Sequence, residues 1–114
     1  MTRKVLLISD DTEFKDYLNT VTLTITKLNH QITFTEDLKD THCDFVIIDF
    51  DKNFDEKIAL LENLRKTKKQ SNKKIISIKS DLSKGLKEQI FYSGCDSVMD
   101  KQEFKKAVNH LLVY

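Results

Sequence analysis

Apolar residues along this chain switch repeatedly between two spacings. Val5 to Ile8 is an unbroken apolar run, as expected of a strand buried on both faces. Phe14, Tyr17, Leu18, Val21, Ile25 and Leu28 then recur at helical spacing. Val21 to Thr26 also alternates at a period of two and is rich in β-branched residues, which favours strand; the longer helical pattern outweighs it. Asn29 and His30 close this element, and Ile32 to Thr35 predicts a second strand. Glu36 to His42 is polar and too short for a helix of average length. Phe45 to Ile48 is the clearest buried strand, followed by a helical face of Phe54, Ile58, Leu61 and Leu64. A polar connection over Lys66 to Lys73 leads to a strand at Ile75, Ile76 and Ile78. Leu82, Leu86 and Ile90 predict a further helix, stopped near Gly94. Ser97 to Met99 is a short fifth strand. Asp100 and Glu103 can form an acidic capping box for a last helix that presents Phe104, Ala107, Val108 and Leu111.

Strands that alternate with helices, and that are apolar on both faces, predict an α/β fold with a parallel sheet covered on both sides. Right-handed crossovers leave few topologies. Ligands of such sheets sit beyond the carboxyl ends of the strands, where the strand order reverses. Asp10, Asp49 and either Lys79 or Ser80 fall at such ends, and Lys101 follows the fifth strand.

Composition narrows the class further. The 114 residues, 39% hydrophobic and 32% charged, suit one domain spanning 1–114. A net charge of +1 offers no long-range attraction for nucleic acid or a membrane surface. The crowded Lys66, Lys68, Lys69, Lys73 and Lys74 read as a solvated surface loop. Cys43 and Cys95 lack metal-ligand spacing and are too few for a disulfide framework, so they read as reduced packing residues of a cytoplasmic protein. No apolar run reaches the length of about 18 residues that a membrane span needs, and the start is too short for a signal peptide. Without proline and with only 2 glycines, tight turns must use Asn, Asp, Ser and Lys.

The candidate chemistry is acidic. Asp10 and Asp11, taken alone, are explained as caps of the first helix, where carboxylates favour the positive end of the dipole. Lys101 alone is explained as a surface lysine. Asp49 is harder to dismiss, because a charge directly after four apolar residues is costly unless solvated or paired. Three carboxylates and one ammonium on neighbouring strand ends could hold a divalent cation and a phosphoryl group. His30, His42 and His110 share no spacing, and the pair Phe91-Tyr92 reads as core and rim.

At this point the chain resembles a response-regulator receiver domain, the CheY-like family, over nearly its whole length. Lys4-Val5-Leu6-Leu7-Ile8-Ser9-Asp10-Asp11 is similar to the family's first strand and acidic pair. Asp44-Phe45-Val46-Ile47-Ile48-Asp49 is similar to the third strand ending in the phospho-accepting aspartate. Gly94-Cys95-Asp96-Ser97-Val98-Met99-Asp100-Lys101 is similar to the Gly-Ala-Asp-Asp-Tyr-Leu-x-Lys stretch. The resemblance implies a flavodoxin-like, doubly wound, five-stranded parallel sheet in the order 2-1-3-4-5. The second helix is expected to be shortened or missing. It further implies Mg²⁺ held by Asp10, Asp11, Asp49 and the backbone carbonyl of Asp51, with Asp49 as nucleophile and Lys101 on a phosphoryl oxygen. A histidine kinase or phosphotransfer protein would be the donor. An effector protein would meet the face made by the family's fourth helix, fifth strand and fifth helix. The implied protein is a monomer or weak dimer, with no direct nucleic-acid or membrane contact and no enzymatic activity beyond self-phosphorylation and dephosphorylation.

Departures from the family pattern concentrate at the switch. Lys79 stands where a Thr or Ser usually ends the fourth strand, with Ser80 next to it as a possible hydroxyl. A lysine there could contact the phosphoryl group or pair with Asp49 in the unmodified state. The fifth-strand aromatic is Val98, the proline after the lysine is Gln102, and the loop after Asp49 reads Phe50-Asp51-Lys52-Asn53-Phe54. These changes raise a second reading, a pseudo-receiver that binds a protein without phosphorylation. Asp49-Phe50-Asp51 also resembles the opening of haloacid-dehalogenase phosphatases, but lies mid-chain with little room for a cap. No output domain follows Val113-Tyr114, so a stand-alone receiver or one cut from a longer protein is expected.

Overall fold

The structure is a computed structural model that describes residues 2–26, 31–35, 45–66 and 74–113. Its elements are β1 (Thr2–Ile8), α1 (Thr12–Thr26), β2 (Gln31–Thr35), β3 (Phe45–Asp49), α2 (Phe54–Lys66), β4 (Lys74–Lys79), α3 (Lys84–Tyr92), β5 (Ser97–Asp100) and α4 (Lys101–Val113). All four strand pairings are parallel, and the order is β2-β1-β3-β4-β5. The expected fold class and strand order are therefore present. The segment 36–42, expected to carry a shortened second helix or none, lies outside the described residues, as do Cys43, His30 and His42.

Side-chain alternation sorts the strands into two cores. Val5, Leu7, Phe45, Ile47, Ile76 and Ile78 face α1 and α4, where they meet Phe14, Leu18, Phe104 and Val108. Leu6, Val46, Ile48 and Ile75 face α2 and α3, where they meet Leu61, Leu64 and Ile90. Every residue of β3 is buried. A strand with helices on both sides has no wet face, which is why Phe45 to Ile48 carries no polar alternation. Each fully buried side chain of this size contributes roughly 1.5–3 kcal/mol relative to exposure.

The competing strand pattern over Val21 to Thr26 loses to helix, since α1 runs unbroken through it. Phe14 and Leu18 anchor α1 to the sheet, with Tyr17 and Val21 partly buried beside them. Leu82 falls before its predicted helix: Ser83 caps α3 by accepting from the Leu86 N–H, so the helix starts at Lys84. Gly94 follows α3 at φ 124°, a backbone conformation L side chains rarely adopt, and ends it as expected. The turn entering α2 uses Asn53 at φ 55°, the substitute for glycine that the composition demands. The Glu103 N–H donates to Asp100 Oδ1 at 2.8 Å, so the acidic cap of α4 forms.

Phe91 and Tyr92 do not belong to the core or its rim as expected. They are 51% and 81% exposed, because Ile90 alone of this turn points at the sheet. Among the described residues no helix is long and apolar enough to cross a membrane.

Candidate functional site

The chain leaves β1 toward β2 on one side and β3 on the other, so β1 and β3 form the point where strand order reverses. Register brings Ile8 level with Ile48 and Asp49 level with Ile78. One residue further, Ser9 stands beside Asp49. Its Oγ donates to Asp49 Oδ2 at 2.7 Å and accepts the Asp11 N–H at 3.1 Å. By the same alternation Asp49 follows Phe45 and Ile47 onto the α1/α4 side, where both helices begin. Asp11 caps α1 through the Phe14 N–H at 3.2 Å, and Lys101 is the first residue of α4.

Lys101 is the centre of the arrangement. Its Nζ lies 2.6 Å from Asp51 Oδ2, 3.0 Å from Asp11 Oδ2 and 3.0 Å from Asp49 Oδ2. Its Nζ also lies over the Phe14 ring, 5.2 Å from the ring centre. Burial pulls its pKa down, but hydrogen bonds to Asp51, Asp11 and Asp49 outweigh that and hold it above the usual lysine range. Asp49 is 1% exposed and also accepts the Asp51 N–H through Oδ1 at 3.0 Å. Burial raises the pKa of Asp51, but bonds from Lys101 and Ser80 more than offset it and bring it to about 2. The Lys101 hydrogen bond lowers that of Asp11.

Asp51 enters as a side chain, whereas the resemblance implied only its backbone carbonyl. It is fixed by the Ser80 N–H at 2.8 Å and the Ser80 hydroxyl at 2.7 Å, with Lys79 Nζ at 3.9 Å. Lys79 thus pairs with Asp51, not with Asp49. Val98 packs into the α2/α3 core. Oxygens of Asp11, Asp49 and Asp51 lie within 4.8 Å of one another, a spacing suited to one cation. An all-carboxylate donor set fits a hard ion such as Mg²⁺ or Ca²⁺ and not a soft one. Together with Asp10 and Lys52 they line a cleft of about 380 Å³.

Asp10 stands apart from that donor group. Its Oδ2 accepts from Lys57 Nζ at 2.7 Å and from Asn53 Nδ2 at 3.4 Å, and the Lys57 hydrogen bond lowers its pKa. Lys57, 6% exposed in the first turn of α2, Ser9 and Asn53 are site residues that sequence reasoning missed. A signal existed for Lys57: it lies three residues after Phe54 and four before Leu61, on the apolar stripe.

No protein-family model and no curated protein matches the sequence. Solved structures do. The signal receiver domain of a DNA-binding response regulator from Colwellia psychrerythraea has a TM-score of 0.73 at 20% identity, covering 98% of this chain and 99% of that one. A response regulator from Hahella chejuensis has a TM-score of 0.76 at 18% identity, covering 98% and 93%. The receiver domain of a sensor histidine kinase from Pseudomonas aeruginosa, with a magnesium ion coordinated in its active-site cleft, has a TM-score of 0.66 at 12% identity, covering 99% and 98%. The chain has the fold of response-regulator receiver domains.

Proposed function

We propose that the chain is a two-component receiver domain, spanning 1–114, that accepts a phosphoryl group on Asp49 from a histidine kinase or phosphotransfer protein. One observation supports this most strongly: a buried aspartate at the base of a cleft, with two further carboxylates close enough to share a cation and one ammonium in contact with all three. The magnesium in the Pseudomonas receiver domain supports Mg²⁺ as the ion. Asp11, Asp49 and Asp51 would hold it, by side chain or through the Asp51 carbonyl, with Asp10 at the rim. Bound there, it supplies positive charge that offsets repulsion between the carboxylates and an incoming phosphoryl group.

The protein's own share is positioning. Ser9 and the Asp51 N–H fix the Asp49 carboxylate. One of its oxygens forms the new O–P bond as the N–P bond of a phosphohistidine breaks, and the electron pair of that bond returns to the imidazole nitrogen. Lys101, already in contact with Asp49, pairs with a phosphoryl oxygen as a fixed point charge. Lys79 and Ser80 hold Asp51 beforehand, and Ser80 supplies the hydroxyl that the end of β4 lacks. The added charge then changes the affinity for an effector protein at the α3–β5–α4 face. The protein is cytoplasmic and a monomer or weak dimer, and it has no catalytic turnover beyond Asp49 itself.

Incubation with acetyl phosphate or phosphoramidate and Mg²⁺, followed by intact mass, tests the reading. A gain of one phosphoryl group that disappears in Asp49→Asn supports it. The pseudo-receiver alternative draws on Lys101, whose ammonium already neutralises the carboxylates, and on the buried Val98. An unchanged mass together with no Mg²⁺ affinity would favour it.

A further inference from the structure

We propose that Lys57 is a positioning residue for the cleft: it holds Asp10 at the rim, restricts the direct cation donors to Asp11, Asp49 and Asp51, and thereby sets a weaker cation affinity than four free carboxylates would give. The inference rests on the reading of the cleft as a cation site. A buried ammonium is costly unless paired, so its place in the first turn of α2 calls for an acidic partner. Asp10 meets that need at 2.7 Å, although its own side chain is 46% exposed. Lys57 and Asn53, both at the start of α2, bond the same oxygen, Oδ2. Two contacts on one oxygen pin the carboxylate toward α2 and away from its neighbour Asp11.

Electrostatic balance points the same way. Asp10, Asp11, Asp49 and Asp51 bring four negative charges, and Lys57, Lys79 and Lys101 bring three positive ones in direct pairs with them. A divalent ion therefore meets carboxylates that are already largely paired rather than a strongly negative cleft. Removing the Lys57 charge frees Asp10 to turn inward by rotation about its own side-chain bonds. The backbone of Asp10 need not move, because Asp10 already lines the cleft.

The test is Mg²⁺ binding to the full chain by isothermal titration calorimetry, on wild type, Lys57→Met, Asp10→Asn and the double variant. Lys57→Met keeps the buried stem without the charge, so it is expected to fold, and circular dichroism checks this. Lys57→Gln serves if it does not. The expected result is Mg²⁺ affinity about five-fold tighter in Lys57→Met, the scale of one partly screened unit charge. That gain should vanish in the double variant, which would bind like Asp10→Asn. A gain that persists without Asp10 overturns the positioning role, because Lys57 would then act through charge alone. Unchanged or weaker binding in Lys57→Met, with wild type binding Mg²⁺, overturns this inference and leaves the cation site standing. Absence of binding in every protein overturns both.

Discussion

The strand-end cleft and the α3–β5–α4 face solve opposite problems. In the cleft, Asp49 and the two ammoniums are buried and paired: Lys101, 8% exposed, touches three carboxylates, and Lys57 touches Asp10. On the other face, apolar surface is left in water. A cavity of about 580 Å³ there is lined by Phe91, Tyr92, Val98 and Met99 among mixed charges, and Phe91 and Tyr92 meet edge to face 5.9 Å apart. The cleft is held together by electrostatics that removing one partner would break. The two aromatic rings of the exposed face lie largely outside the core. Charge is paired where the strand ends bury it, and aromatic rings stay unburied where α3 turns them away from the sheet.

The largest effect should come from Lys101→Met, which leaves the nearly inaccessible Asp49 without its ammonium. Urea unfolding should show a loss of about 3 kcal/mol, the cost of breaking a buried pair from one side. A loss under about 1 kcal/mol, the scale of a surface pair, would mean that the carboxylates do not depend on Lys101 and that the contrast between the two regions is overstated.

Acid should come next, and its sign follows from the pKa shifts. Asp51 titrates at about 2 in the folded protein against 3.8 ordinarily, and the pKa values of Asp10 and Asp11 are also lowered. Depressed carboxylates add stability that is fully present above their unfolded pKa and is lost as pH falls through the folded one. Thermal midpoints should therefore fall between about pH 4 and pH 2. The fall should be shallower in Lys101→Met, whose carboxylates have less to lose. The raised pKa of Lys101 works in the other direction, with its contribution complete below the ordinary lysine value and eroding only above it.

Ser9→Ala should cost about 1.5 kcal/mol, the low end for one hydrogen bond to a charged group, read from the same urea curves. The smallest effect should be Tyr92→Ser on the exposed face, with stability unchanged within about 0.5 kcal/mol. A larger drop would show that the ring is part of the fold rather than a surface left open.

Much of this was legible beforehand. The buried run Phe45 to Ile48 announced β3 because a strand covered on both faces favours apolar residues throughout, and Asp49 stood out as the charge that ends it. Asp11 and Lys101 were legible because each follows a strand, and the carboxyl ends of parallel strands lie at one end of the sheet. Phe91 and Tyr92 were misread because two adjacent aromatics on a helix lie about 100° apart, and only packing decides which side meets the sheet. Lys57 was passed over because lysine is usually a surface residue, although its stem fits the apolar stripe.

The chain by itself determined which residues alternate, where strands give way to helices, and that acids follow the first and third apolar runs, since these are local matters of spacing and burial. Only the tertiary structure decided how the charges pair. The register of β1 on β3 carried Ser9 to Asp49, and the start of α4 placed Lys101 among three carboxylates. The first turn of α2 drew Asp10 aside and the end of β4 locked Asp51. Partners so distant in sequence are chosen by geometry within a few ångströms, and no one-dimensional pattern encodes which of several acids a buried lysine will reach.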